Sequence, residues 1–130
     1  MGLFMNPELE FEKKISKIHG LGIFTKNKIL RNSRYYLIPT DKIYSHPRKR
    51  CARIADKKYV SDKKILNWIN HCCNPNSKLL IDKEKPFLIA IKNILPNKEI
   101  TLDYNKTEIQ GLKIRCFCKS KKCKKYFNYL

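Results

Sequence analysis

The chain has 130 residues and a net charge of +18, from 29 Lys and Arg against 11 Asp and Glu. That length is about one domain, enough to bury a core, since a ~150-residue domain hides about 70% of its unfolded surface. No run approaches the ~20 apolar residues of a membrane-spanning helix, and the opening MGLFMNPELEFEKK lacks the pattern of a signal peptide.

Residues 1–10 read as a loose lead-in. FEKKISKI then reads as a strand, with Phe11 and Ile15 apolar. A turn follows at HGLG, and GIFTKNKIL continues as a second strand. From Asn32 to about Lys58 the chain is irregular, with two prolines, several tyrosines and the basic run PRKR at 47–50. CARIADKKYV is expected to hold a short helix, and ILNWI is short and apolar. KLLIDKEKPFLIAIKNI reads as a hairpin of Leu79–Ile81 and Phe87–Ile91 about a DKEKP turn. LPNKEITLDYN predicts a turn and then a strand, Ile100–Tyr104. The tail from Gly111 holds three cysteines and six lysines. Internal repeats and heptads are absent. Short strands dominate, so the fold class is mostly β with irregular insertions.

The charge admits nucleic acid, an anionic surface or an acidic protein as partner. Only six of the 29 basic residues are Arg, the residue suited to bidentate phosphate recognition. Lys, Ile and Asn are all plentiful, a set that AT-rich coding favours together, so composition alone accounts for much of the charge. Gly2 raises N-myristoylation, but Asn6 stands where that motif needs Ser or Thr. The expected location is intracellular, cytoplasmic or nuclear, in the chain's own cell or a host's, with no membrane partner.

Six cysteines without a secretory signal point to metal or reactive thiols rather than disulfides. RCFCKSKKC places three of them at 116, 118 and 123. Three thiolates so close together suit one Zn²⁺, which takes four tetrahedral ligands at ~2.3 Å. A fourth must come from elsewhere, and Cys51, Cys72 and Cys73 are available.

Four segments carry a resemblance. NHCCNPN (70–76) resembles the Asn-His-x-Cys-x-Pro-Asn signature of SET-domain protein methyltransferases. HGLGIF (19–24) is similar to the family's Gly-x-Gly loop, LPNKEITLDY (95–104) to its Gly-Glu-Glu-(Ile/Leu)-Thr-x-Asp-Tyr strand, and RCFCKSKKC to its post-SET cysteine triplet. They come in family order and the resemblance covers about residues 11–125. It implies a SET fold of several small curved sheets with a pseudoknot and a zinc-bound post-SET tail. The expected division is a lead-in at 1–10, a SET domain at 11–110 with a short variable insert at 33–60, and a post-SET tail at 111–130.

The resemblance also implies a function: S-adenosylmethionine-dependent methylation of protein lysines. The Asn-His segment would thread a loop near the C-terminus and line the cofactor pocket. Its cysteine, here Cys73, would join Cys116, Cys118 and Cys123 on Zn²⁺, leaving Cys51 and Cys72 as small buried residues. Tyr104 would be the catalytic residue, beside the transferring methyl. Gly20, Leu21 and Gly22 would bring backbone close to the cofactor, Asn70 would meet its methionine part through the side-chain amide, and His71 would contact it largely through backbone. Leu102 would lie in the substrate channel. The family often has Phe or Tyr there, and a Tyr hydroxyl favours monomethylation, so Leu predicts di- or trimethylation.

This chain departs from the family where Glu-Tyr-x-Gly-Glu is usual: it has RYYLIPTDKI, with Ile38 near the expected Tyr, and Tyr35 or Tyr36 is assigned to the channel instead. Asn32 and Asn97 replace turn glycines, a change that Asn tolerates at positive φ. The partner is a protein with an acceptor lysine, a histone or another, with nucleic-acid or nucleosome contact suggested by the charge. Two alternatives stay open: a catalytically inactive SET-like binding module, and a basic, zinc-stapled nucleic-acid-binding domain.

Overall fold

Glycine is scarce in this sequence, and Asn and Lys take several of its left-handed turn positions. The computed structural model describes residues 9–48, 50–104, 112–116, 118–121 and 123–129. Most of the lead-in and the boundary expected at 110–111 lie outside the described residues, and so does the chain at 105–111 near which threading is expected.

Strand β1 (Phe11–Ile15) pairs antiparallel with β2 (Leu21–Thr25), Phe11 opposite Thr25 and Ile15 opposite Leu21. The Ser16 amide closes the connecting loop on Gly20 O at 2.8 Å. Phe11 packs on Tyr35 and Tyr36, ring centroids 6.0 and 6.2 Å away. Asn32 then turns the chain at φ 70°, and β3 (Arg34–Leu37) forms inside the stretch the sequence leaves irregular.

The stretch expected to hold a helix forms a hairpin instead. β4 (Ala52–Ala55) pairs with β5 (Lys58–Val60) across a turn in which Lys57 takes φ 55°. Ala52, Ile54 and Val60 are buried while Arg53 is exposed. Burial alternates with the period of a strand, and side-chain packing outweighs the helix propensity of Ala and Arg. After β5, buried Asp62 accepts the amides of Lys64, Ile65 and Leu66 and the Tyr36 hydroxyl, at 2.9–3.1 Å. It thereby shapes the chain into the 3₁₀ turn Leu66–Trp68.

β6 (Asn70–His71) follows at once. The expected hairpin is present as β7 (Ser77–Asp82) and β8 (Lys85–Ala90), and β3 joins it to make a sheet ordered β3-β8-β7. Asn97 turns the chain at φ 67°. The strand read as Ile100–Tyr104 is shorter, β9 (Thr101–Leu102), because the chain leaves the ladder after Leu102. β9 pairs with β6 in parallel, Asn70 beside Thr101 and His71 beside Leu102. The tail adds an antiparallel hairpin, β10 (Leu112–Arg115) and β11 (Tyr126–Tyr129), that brackets the cysteine segment. Ile23, Ile38, Ile69, Leu88, Ile94 and Ile100 form the centre of one buried cluster between the small sheets. Among the described residues no helix is long and apolar enough to cross a membrane.

The β7–β8 turn has only two residues, Lys83 and Glu84, at φ 51° and 63°. Both occupy the left-handed region, which costs a non-glycine residue about 1–2 kcal/mol and suits Asn-Gly. Replacing Lys83–Glu84 by Asn-Gly also removes an exposed Lys58–Glu84 ion pair of 3.0 Å, worth about 0–1 kcal/mol. The double variant is expected to gain about 1 kcal/mol, read as a Tm about 4 °C higher in thermal unfolding.

Candidate functional site

The parallel pairing of β6 and β9 assembles the centre of the site. Asn76 locks it in place: its amide nitrogen donates to Glu99 O at 2.7 Å, and its Oδ1 accepts the Thr101 amide at 3.0 Å. Its own backbone N–H donates to Thr101 Oγ1 at 3.1 Å. The Cys72 amide extends the ladder to Leu102 O at 2.9 Å.

Just past β9, the Tyr104 amide donates to His71 Nδ1 at 2.9 Å. The rings of His71 and Tyr104 lie 5.7 Å apart, and the Tyr104 hydroxyl donates to Ile69 O. The Arg50 guanidinium, which donates to Asn67 O at 2.7 Å, lies 5.5 Å from the Tyr104 ring. Tyr104 and Leu102 are both buried.

His71 is buried too, and burial lowers its pKa to about 4; Asp103 opposes that shift and Lys124 adds to it. The ring is therefore neutral at pH 7. Because Nδ1 accepts a hydrogen bond, the proton sits on Nε2. Nε2 lies 3.3 Å from Cys73 Sγ, so the imidazole donates to that sulfur. One side chain thus links the tyrosine backbone to a cysteine.

Cys73 belongs to a cluster. The sulfurs of Cys73, Cys116, Cys118 and Cys123 all lie within 4.8 Å of one another, with Cys73 and Cys116 3.9 Å apart. A tetrahedron with metal–sulfur bonds of ~2.3 Å has edges of about 3.8 Å, so the set fits one metal ion. Backbone amides already face the sulfurs: Lys124 N to Cys73 at 3.2 Å, Cys118 N to Cys116 at 3.4 Å and Lys125 N to Cys123 at 3.3 Å. Such N–H···S bonds orient metal ligands and stabilise thiolate charge. Burial would push the Cys118 thiol up, but hydrogen bonds from the Cys73 and Ser120 backbone and from neighbouring thiols outweigh it and hold the group at about 7. Cys51 and Cys72 stand outside the four. Cys72 bonds to Asn74 O, and burial raises its pKa to about 11. Cys51 accepts the Arg48 amide at 3.4 Å.

The glycine loop meets the same centre from the other side. Asn70 Nδ2 donates to His19 O at 2.9 Å, Leu21 O at 3.2 Å and Glu99 Oε2 at 2.9 Å. Gly20 takes φ 45° with open space where a Cβ would stand. A Cβ on Gly22 would collide with the Glu99 carboxylate, lying 2.8 Å from its Cδ. The structure thus brings together Gly20, Leu21, Gly22, Asn70, His71, Leu102, Tyr104 and the four cysteines. It sends the other two tyrosines elsewhere: the Tyr35 hydroxyl shares a 2.7 Å hydrogen bond with Ser77 inside the core, and Tyr36 donates to Asp62 at 2.9 Å. Sequence reading assigned no role to Ser16, nor to Glu99 and Asn76 within the recognised segments, because charged and small polar residues show their part only when their partners are known.

The comparisons decide the family. A family model described as the SET domain matches residues 3–105. The chain belongs to the SET domain family. This SET domain is 43% identical over 68 residues to the histone-lysine N-methyltransferase set1 of Dictyostelium discoideum, covering 49% of the chain and 4% of that relative. It is 30% identical over an alignment spanning 152 positions to the histone-lysine N-methyltransferase set-2 of Caenorhabditis elegans, covering 96% of the chain and 10% of that relative. The chain thus spans a small part of these curated relatives. The crystal structure of KRYPTONITE in complex with mCHH DNA, an H3(1–15) peptide and SAH superposes with a TM-score of 0.71. That match covers 92% of this chain and 29% of the other at 18% identity, which shows a shared fold.

The depressed His71 pKa carries a sign. An unfolded histidine takes up a proton below about 6.5, whereas folded His71 stays neutral to about 4. Stability from this group is full above about 6.5 and falls between about 6.5 and 4, at about 1.4 kcal/mol per pH unit. In denaturant titrations over that window, His71→Asn is expected to show a flatter pH dependence than the wild type by about that slope.

Proposed function

We propose that this SET domain is a protein-lysine N-methyltransferase that uses S-adenosylmethionine and holds Zn²⁺ in its cysteine cluster. The observation that carries this reading is the seating of Tyr104 against Asn70–His71 by the parallel β6–β9 pair, with Cys73 of the same segment in the four-sulfur cluster. The relatives named as histone-lysine N-methyltransferases support the reaction. SAH in the KRYPTONITE complex supports the methyl donor.

S-adenosylmethionine supplies the methyl group as a sulfonium. The backbone of Gly20, Leu21 and Gly22 and the side chain of Asn70 would hold it, with His71 beside them. The chain's own task is to orient an uncharged lysine amine for in-line attack. Deprotonating a free lysine at pH 7 costs roughly 4–5 kcal/mol, from a pKa near ~10.4. Leu102 and the buried face of Tyr104 give the amine an apolar, poorly hydrated neighbourhood, which favours its neutral form. The Tyr104 oxygen, already engaged with Ile69 O, would fix the amine's direction, so that positioning does the work a general base would otherwise do. Leu102 offers no hydroxyl to hold a water beside the amine, so we assign di- or trimethyl products. Zn²⁺ on Cys73, Cys116, Cys118 and Cys123 would pin the tail beside Tyr104.

The substrate is a protein lysine, with a histone favoured by the relatives' names and a nuclear location following from that. The +18 charge supports an accompanying nucleic-acid or nucleosome contact, which would make activity on nucleosomes fall with added salt.

Transfer of labelled methyl from S-adenosylmethionine to histones, nucleosomes or a cell extract, located by mass spectrometry, tests the reading. Label on a lysine is expected, lost about 100-fold or more in Tyr104→Phe on the scale of one positioned transition-state contact. No label on any acceptor would overturn it. Metal analysis under reducing conditions is expected to find one zinc per chain. Cys73→Ser is expected to lower zinc retention against a chelator.

A further inference from the structure

Asn70 is the side chain proposed above to meet the methionine part of the methyl donor, and what sets its direction is Glu99, inside the LPNKEITLDY segment, together with Ser16, outside the four motifs. An asparagine amide has a donor end and an acceptor end of nearly equal shape, and only its neighbours decide which end faces a ligand. Here the donor end is fully used: His19 O, Leu21 O and Glu99 Oε2 all accept from Nδ2. Two of these are carbonyls and the third is a carboxylate, so none can donate to an inverted amide. Among the described residues no group hydrogen-bonds Asn70 Oδ1.

Glu99 is itself held. The Ser16 hydroxyl donates to its carboxylate, at 2.8 Å from Oε1 and 2.9 Å from Oε2. Ser16 Oγ in turn accepts the amides of Ile18 and His19, at 2.9 and 3.3 Å. The hydroxyl has one proton and spends it on the carboxylate, while its lone pairs order the loop that carries His19 O. Gly22 completes the arrangement, since any Cβ there would displace the carboxylate.

We propose that Glu99 and Ser16 are positioning residues that hold Asn70 with its carbonyl oxygen free to accept from the ammonium of the donor's amino-acid part. Glu99 supplies the negative charge that fixes the amide, Ser16 orients Glu99, and the absence of a side chain at Gly22 makes room. The inference rests on the proposed function and adds the device that gives the ammonium an acceptor. It assigns the missing side chain of Gly22 to Glu99 as well as to the cofactor's approach.

The test is binding of S-adenosylmethionine by calorimetry together with kcat and KM. Glu99→Ala removes the charged acceptor that holds the amide together with His19 O and Leu21 O, and is expected to raise Kd and KM for S-adenosylmethionine about 10- to 100-fold, the scale of one hydrogen bond to a charged group. At saturating donor, kcat is expected to stay within about 3-fold. Glu99→Gln keeps one acceptor oxygen for Nδ2 and is expected to recover most of the affinity. Ser16→Ala, which removes only a hydroxyl, serves if Glu99→Ala does not fold, and is expected to weaken binding about 3- to 10-fold, less than loss of the carboxylate because it acts through Glu99. Donor affinity unchanged in Glu99→Ala, or in Ser16→Ala where that is the variant measured, overturns the inference alone. So does a fall in kcat with KM unchanged. No donor binding by the wild type overturns the proposed function, and this inference with it.

Discussion

Two parallel two-residue strands hold this structure's chemistry together. The pairing of Asn70–His71 with Thr101–Leu102 is short, yet it sets Asn70, His71, Leu102 and Tyr104 beside one another. Parallel pairs cannot be closed by a tight turn and need a long connection. Here the connection is the β7–β8 hairpin and the Asn97 turn, so the site exists only once the larger sheet has formed. So short a ladder would slip if left to backbone bonds alone. Asn76 prevents this by bonding to Glu99 and Thr101 through its amide and its backbone, which fixes the register.

Around that ladder the molecule buries Asn70 and His71, and both side chains carry hydrogen-bond partners. A buried donor left unbonded costs about 1–3 kcal/mol, so these bonds are what allow the two residues to be buried. Asn70 reaches the glycine loop and Glu99; His71 reaches the Tyr104 backbone and Cys73. The two neighbouring side chains point the ladder in two directions, one to the β1–β2 hairpin and one to the cysteine tail.

The cysteine cluster joins the tail to this arrangement. Cys73 comes from the β6–β7 connection and the other three from the segment between β10 and β11. A metal binding there would join two parts of the chain that backbone ladders leave separate, and its binding free energy would be folding free energy for the tail. Amides facing the sulfurs and the His71 N–H favour thiolates at the cluster, working against burial, which pushes the Cys73 and Cys116 thiols up.

Much of this was legible in the amino-acid order. The mostly β class, the two hairpins about HGLG and DKEKP, and the left-handed asparagines at 32 and 97 follow from local rules: alternation marks strands, and Asn accepts positive φ where glycine is missing. The motifs NHCCNPN, LDY and CFCKSKKC named the residues of the site by resemblance. What local rules missed lies where packing overrides propensity. The Ala- and Arg-containing stretch at 52–55 became a strand because Ile54 and Val60 are buried in the core, and a segment of the insert became β3 because β8 offered it an edge. Which way Tyr35 and Tyr36 point, and that Glu99, held by Ser16, faces Asn70, were decided by the tertiary structure alone. Those facts depend on residues far apart in sequence meeting at 3 Å, and no periodicity or spacing along one chain encodes the direction of a hydrogen bond.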